Sequence, residues 1–235
     1  MSAPLTLPEW KSARMAGIGA SESAAALGLN PYMSAAELLA IKTGAEEAPN
    51  LSGNIPVRWG VALEPKIADA YSRLTDRDLI DHGRYALRRH ADFDFILATL
   101  DREIVPVDDN GPGILEIKST QRRWDEGVPL HTQVQVQQQL AVTGWRWAEV
   151  ATFSYRLRYD LFPRLFEAAY LARHERDAQI DMLLDDAIAS VAEGDLQVFE
   201  IERDEAFIEG VLIPRLRTFW QHVLNREPLP EAWPG

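Results

Sequence analysis

The chain has 235 residues, with 24 Lys and Arg against 36 Asp and Glu and a formal charge of −12. Its length suits one domain with elaborations, and 46% apolar with 26% charged residues excludes wholesale disorder and fibrous classes. It contains no run of about 18 apolar residues, no apolar h-region in MSAPLTLPEWKSARM and no cysteine, which argues against spanning and secreted proteins, disulfides, thiolate nucleophiles, Cys-ligated zinc and iron–sulfur clusters.

Taken in chain order, the Ala-rich stretch from Ser21 to Leu27 reads as a short helix closed by Gly28 and the Asn30-Pro31 turn. Ser34 and Glu37 form a capping-box pattern for a second helix ending near Gly44. Pro49, Asn50 and Gly53 make residues 45–55 a loop. A longer helix follows, from Pro56 or Val57 to Leu74, with a kink or restart at Pro65. Its expected core stripe is Val61, Leu63, Ile67, Ala70, Tyr71 and Leu74. Four strands are expected at Tyr85–Arg88, Phe95–Leu100, Glu103–Val107 and Ile114–Lys118, with a turn over residues 108–111. A helix from Leu130 to Val142 stops at Gly144, and Trp147–Phe153 reads as a strand. Residues 162–194 are amphipathic and helical, with Leu165, Ile180, Leu184 and Ile188 among the apolar positions. A strand at Gln197–Ile201 and a helix from Asp204 to Leu224 close the chain. The pattern is a single α/β or α+β domain, helices around a mixed sheet.

The negative charge is uneven. Residues 1–163 carry a net −4, residues 164–210 a net −9 and residues 211–235 a net +1. Local basic groups occur at Arg84, Arg88, Arg89 and His90, and at Arg122 and Arg123 beside Trp124. Either group can be ordinary solvated charge; the second also pairs cations with an aromatic, a composition suited to nucleic acid. No G-x-S-x-G elbow, Walker A loop or H-E-x-x-H motif is present, and no two of the five histidines have metal-ligand spacing.

The chemically informative stretch surrounds Asp101 and Glu116-Ile117-Lys118. In a strand, positions i and i+2 share a face, so Glu116 and Lys118 point the same way. Asp101 ends the apolar run FILATL, where an acid needs water, a hydrogen-bond partner or a cation. If neighbouring strands bring Asp101 beside Glu116, a divalent cation is the natural third member, since Mg²⁺ takes hard oxygen ligands. The alternative is a surface turn with a Glu–Lys ion pair.

Asp101 followed by Glu116-x-Lys118 resembles the D…(D/E)xK core of restriction-endonuclease-like nucleases. Four flanking segments narrow the resemblance: RMAGIGASE from Arg14 to Glu22; Trp59-Gly60 with Leu63-Glu64-Pro65; Leu97 to Asp101; and Gln135-Val136-Gln137 leading to Gly144. Phe199 to Glu205 and Phe219-Trp220 also fit. Together they are similar to the λ-exonuclease-like, YqaJ-type viral recombinase family (PD-(D/E)xK superfamily), over most of residues 14–220.

The resemblance implies a restriction-endonuclease-like core, about 14–160 and 196–225, relative to which the acidic helical stretch at about 160–195 is an insertion. It implies that Asp101, Glu116 and the Ile117 backbone carbonyl bind Mg²⁺ or Mn²⁺, with Glu64 an accessory acid. Lys118 would position the attacking water, and Gln135 would reach the site from its helix. Arg14, Ser21, Thr99 and Gln135 match positions that hold a 5′-terminal phosphate, while Arg122, Arg123 and Trp124 are further candidates for DNA contact.

The implied activity is a 5′→3′ exonuclease on double-stranded DNA ends, serving phage-type recombination with a single-strand annealing protein. A ring-shaped homotrimer and a cytoplasmic location in a bacterial or phage-infected cell complete the expectation. An endonuclease or nickase of the same fold, or a non-catalytic DNA-binding assembly module, are the alternatives. One departure concerns Arg102, where the family often has glycine after the metal-binding Asp; the insertion is the other.

Overall fold

A single helix rich in glutamine sits between two sheets and is hydrogen-bonded to both. The computed structural model describes residues 5–51, 54–154 and 196–233. The helical arm expected at 160–195 lies outside the described residues.

The chain opens with α1 (Leu7–Met15), started by Thr6 and Glu9 in a capping box with Pro8 in the first turn. Then come β1 (Ile18–Gly19), α2 (Ala20–Ala26) and α3 (Ala35–Thr43). Ser34 caps α3, and Gly44 ends it at φ 74°, a left-handed conformation that glycine adopts without steric cost. Helix α4 (Ile55–Thr75) is capped by Asn54 and carries Pro65 in its interior.

Next follow β2 (Leu79–Ile80), β3 (Arg88–Arg89), β4 (Ile96–Ala98), β5 (Arg102–Ile104), β6 (Gly113–Thr120), α5 (Leu130–Thr143), β7 (Trp147–Ser154) and β8 (Leu196–Glu202). A helical turn (Glu205–Phe207), a π-helical segment (Ile208–Leu212) and α6 (Ile213–Asn225) complete the described elements. Pro214 starts α6 without a backbone N–H, so the helix expected from Asp204 changes its hydrogen-bonding pattern just before it. Among the described residues no helix is long and apolar enough to cross a membrane.

The five-stranded sheet has the order β2-β5-β6-β7-β8, and the smaller one the order β1-β4-β3. β6 and β7 are parallel, so a crossover is required, and α5 supplies it. The remaining pairs of the large sheet are antiparallel, giving the mixed sheet expected from the sequence. The short strands β1 and β2 were not foreseen; two residues are too few for a period-2 signal.

Helix α5 contributes to two cores. Val134 joins Ile18, Ala25, Leu38, Ile96 and Phe219, while Val136 and Leu140 join Leu100, Ile114, Ala148 and Val150. Phe95 stacks on Trp220, with ring centroids 5.6 Å apart and planes within 1°. On α4 the buried stripe is narrower than its sequence pattern. Leu63, Ile67, Ala70 and Tyr71 are buried, but Val61 is 39% and Leu74 46% exposed. Val61 lies two positions, about 200°, away from Leu63 around the helix, and Leu74 falls in the last turn.

Polar ties set the register between layers. The buried Gln138 amide donates to the carbonyls of Ile18 and Leu97, both at 2.8 Å, fastening α5 to β1 and β4. Tyr71 donates to Glu149 on β7 at 2.5 Å, and Arg77 pairs with the other oxygen of that carboxylate while stacking over Trp147. Burial, followed by the Glu149 hydrogen bond and charge, keeps the Tyr71 phenol protonated far above its ordinary range.

Gln138→Leu strips the shared donor from two buried carbonyls and should cost about 2–4 kcal/mol of unfolding free energy. Urea denaturation followed by circular dichroism checks this, and a loss below about 0.5 kcal/mol would contradict the assigned tie. Tyr71→Phe removes a hydrogen bond to a charged group and should cost about 1.5–3 kcal/mol in the same assay.

Candidate active site

Strand β6 alternates as its sequence requires, placing Glu116 and Lys118 on the face toward α5. Glu116 is 2% exposed, and an isolated carboxylate at that depth would be costly. Three donors compensate it. Oε1 accepts from Lys118 Nζ at 2.7 Å and Gln135 Nε2 at 2.6 Å, and Oε2 accepts from Gln139 Nε2 at 2.7 Å. Gln135 and Gln139 are one helical turn apart and share a face of α5. Lys118 also donates to Gln135 Oε1 at 3.1 Å, closing a ring of three side chains.

Asp101 reaches this ring because β5 stops short. Pairing with β6 ends at Arg102 opposite Leu115, leaving the next edge groups of β6 open. The N–H of Ile117 donates to Asp101 Oδ2 at 2.7 Å. The carbonyl of a strand residue leaves from the same edge as its N–H, so the Ile117 oxygen lies on the edge of β6 that Asp101 approaches. Burial and then the neighbouring charges of Glu116 and Glu64 push the Asp101 carboxyl well above the usual range, against the opposing pull of Lys118 and the Ile117 N–H. Burial alone would depress the Lys118 ammonium, but Glu116 and Asp101 overcome it and raise its pKa.

Glu64 approaches from α4. It pairs with Arg102 at 2.8 Å, and Arg102 also meets Asp81 at 3.4 Å and the Asp101 carbonyl at 2.5 Å. Arg102, the departure noted in the sequence, thus supplies the counter-charge to Glu64. Among the described residues no three His, Asp or Glu side chains converge as a ready ligand set. The donor chemistry nevertheless fits a hard divalent cation: the Asp101 carboxyl, whose proton affinity the neighbouring Glu116 charge raises, and Glu116 itself, with a backbone oxygen on the same strand edge.

Arg14, Ser21 and Thr99 are brought together. The Arg14 guanidinium donates to Ser21 Oγ at 3.2 Å, pairs with Glu22 at 2.9 Å and lies 4.9 Å over the Trp10 ring. Trp10 Nε1 donates to Thr99 Oγ1 at 3.4 Å, and Gln139 links the Thr99 carbonyl to Glu116. Buried Lys42 donates to Glu22 at 2.9 Å and to the Arg14 carbonyl at 2.7 Å. Its pKa is lowered by burial against the partial support of Glu22. Gly19 leaves room for this cluster, since a Cβ there would stand 3.0 Å from the Arg14 guanidinium.

Trp10, Glu22, Lys42 and Gln139 were not singled out from the sequence. The Trp10–Arg14 spacing of four on a helix was a usable signal; Lys42 had none. Gln137, Gln138 and Gln139 are buried. Arg122 and Arg123 are exposed, with Arg123 3.6 Å from Asp125. Trp124 is half-buried, its ring 6.2 Å from that of Phe199 and its backbone N–H held by Gln197.

Residues 9–146 match the model of the YqaJ-like viral recombinase domain. The uncharacterized protein YqaJ of Bacillus subtilis (strain 168) is 34% identical over 141 residues, covering 58% of this chain and 42% of YqaJ. The match thus spans less than half of that relative. An alkaline exonuclease from Laribacter hongkongensis, LHK-Exo, superposes with a TM-score of 0.62 at 20% identity, covering 93% of both chains. Its complex with dAMP superposes equally well. A phage-related exonuclease from Haemophilus somnus 129PT gives a TM-score of 0.53 at 12% identity, covering 89% of this chain and 96% of that one. These likenesses place the mixed sheet and its flanking helices in the restriction-endonuclease-like fold of those exonucleases. By its matched domain, the chain belongs to the YqaJ-like viral recombinase family.

Proposed function

We propose that the protein is a divalent-cation-dependent deoxyribonuclease that degrades double-stranded DNA 5′→3′ from its ends in phage-type recombination. The observation that carries the reading is the meeting of Asp101, Glu116, Lys118 and Gln135 at the open edge of β6. Its family membership and the exonuclease identity of its structural relatives support the same chemistry.

In this reading Asp101, Glu116 and the Ile117 carbonyl hold Mg²⁺, or Mn²⁺ in its place, with Glu64 alongside. Bound there, the cation stabilises charge on the phosphodiester and acidifies water. Lys118 is fixed by Glu116 and Gln135, and its ammonium hydrogens orient the attacking water in line with the leaving oxygen. Gln135 offers a neutral amide to the phosphate beside the carboxylates. Arg14, Ser21 and Thr99 hold the terminal 5′-phosphate. Glu22 does not cancel that pocket, because Arg14 and Lys42 together exceed its charge by one. Arg122 and Arg123 meet the DNA backbone farther along, while Trp124 anchors their loop. Rings of three copies and delivery of the exposed 3′ strand to an annealing protein belong to the same proposal, as does work in the cytoplasm of a bacterial or phage-infected cell.

The test compares 5′-phosphorylated linear, 5′-hydroxyl linear and covalently closed circular duplex with Mg²⁺. Linear DNA should be degraded, faster with the phosphate, and circles should survive. Asp101→Asn and Lys118→Ala should each lower the rate by about 100-fold or more while the thermal transition remains cooperative, and chelation with EDTA should stop the wild type. Degraded circles would instead mark an endonuclease, and no product at any Mg²⁺ or Mn²⁺ concentration a binding module.

A further inference from the structure

Among the described residues, a cavity beside Lys118 has no carboxylate in its lining. It encloses about 630 Å³, and its wall includes Tyr32, Lys118, Arg122, Trp124, His131 and Thr132. Cavities along β8, by contrast, are lined by Glu200, Glu202 and Glu205. Arg122 beside two aromatic rings, with Lys118 reaching the same wall from its pair with Glu116, suits a phosphate joined to a flat apolar group.

Tyr32 is the unusual member. It is 83% exposed, and its ring meets His131 edge-on at 5.7 Å and 87°. The Asn30-Pro31 turn holds its backbone, with Asn30 Oδ1 accepting from the Tyr32 N–H at 2.8 Å. Burial and then the Lys118 charge lower the His131 pKa, favouring the neutral imidazole.

The cavity also has a defined place along the site. His131, Gln135 and Gln139 recur every four residues on one face of α5, spanning about 12 Å. Gln139 stands by Thr99, Gln135 by Lys118, and His131 by Tyr32. Helix α2 runs the opposite way beside α5. Ile18, before its start, is tied to Gln138, and Tyr32, after its end, meets His131. The Arg14–Ser21 cluster and the Tyr32–His131 pair therefore lie at opposite ends of one track, with Glu116 and Lys118 between them.

The geometry points to the Tyr32–His131 cavity as the seat of the nucleotide on the 3′ side of the scissile phosphate, its base stacked on Tyr32 and its own phosphate met by Arg122. This rests on the nuclease reading, with the strand's 5′ end at Arg14 and Ser21. Stacking on an aromatic ring tolerates any base, as a nuclease without sequence preference requires. Tyr32 is then a binding residue for the strand that remains, rather than for the nucleotide that leaves.

The probe is a 5′-phosphorylated duplex carrying 2-aminopurine as the second nucleotide, bound with Ca²⁺ in place of Mg²⁺. Its fluorescence should be quenched by the wild type and by Tyr32→Phe, but not by Tyr32→Ala. Tyr32→Ala should bind about tenfold more weakly, and Arg122→Ala should shallow the salt dependence by about one counterion. A probe at the tenth nucleotide should respond alike to all variants. Quenching and affinity unchanged in Tyr32→Ala, with a wild type that degrades linear duplex in Mg²⁺, would overturn this assignment alone. A wild type that neither binds nor degrades the duplex would overturn it together with the nuclease reading.

Discussion

A single buried charge, the Glu116 carboxylate, organises the centre of this molecule. Removing it from water is tolerable only because Lys118, Gln135 and Gln139 all donate to it. Two of those donors lie on α5, so satisfying Glu116 fixes both the height and the rotation of the helix against β6. The rotation then determines where the neighbouring side chains point. Successive helical residues are about 100° apart, so Gln137, Gln138 and Gln139 leave α5 in three directions. Gln137 bonds to the Glu202 carbonyl and the Asp204 N–H, Gln138 to β1 and β4, and Gln139 to Glu116. The same helix therefore ties β8, the small sheet and the active strand into one framework.

Charge balance around that framework leaves a small, directed deficit. Asp101, Glu116 and Glu64 face Lys118 and Arg102, which is three negative groups against two positive ones. A phosphodiester arriving there would deepen the repulsion, whereas a divalent cation would more than reverse it. Arg102 matters to this account. By pairing with Glu64 and Asp81 it draws the third carboxylate toward α4 and β2. Asp101 and Glu116, with the Ile117 oxygen, remain as the pair that the edge of β6 holds together. The Tyr71–Glu149–Arg77 network steadies α4, two helical turns beyond Glu64, against β7.

The parts readable in the sequence are those whose signals are local. The Ser34–Glu37 cap, the Gly44 stop, the Leu130–Thr143 helix and the alternation of Glu116 and Lys118 each depend on neighbours within a few residues. Asp101, Glu116, Lys118 and Gln135 could be grouped from the sequence because ordered motif spacing adds information that a lone E-x-K lacks, and the fold brings the four together. Contacts between distant positions were not legible. Lys42 reaches Glu22 across 20 residues and Gln138 reaches Ile18 across 120, and neither leaves a periodic trace. Five glutamines within seven residues do not by themselves say which are structural; only the two sheets around them show that Gln137, Gln138 and Gln139 are. Val61 and Leu74 matched an apolar pattern but fell outside the arc that α4 buries.

The net charge of −12 looks hostile to DNA only when it is spread evenly over the chain. Residues 164–210 account for −9, including Glu200, Glu202, Asp204 and Glu205 on or just after β8. The groups that face the proposed DNA track are arranged otherwise. Arg14 and Lys42 outweigh Glu22 at one end, and Arg122 lines a cavity with no carboxylate in its wall at the other. Only the middle is negative, where a cation belongs. The whole molecule gains little from nonspecific attraction along duplex DNA, because that attraction scales with the phosphates it can neutralise. On the proposed function, affinity concentrates instead where a terminal phosphate, a cation and an aromatic ring would line up within a few nucleotides. An acidic chain with such a track would hold a DNA end in preference to the interior of a duplex.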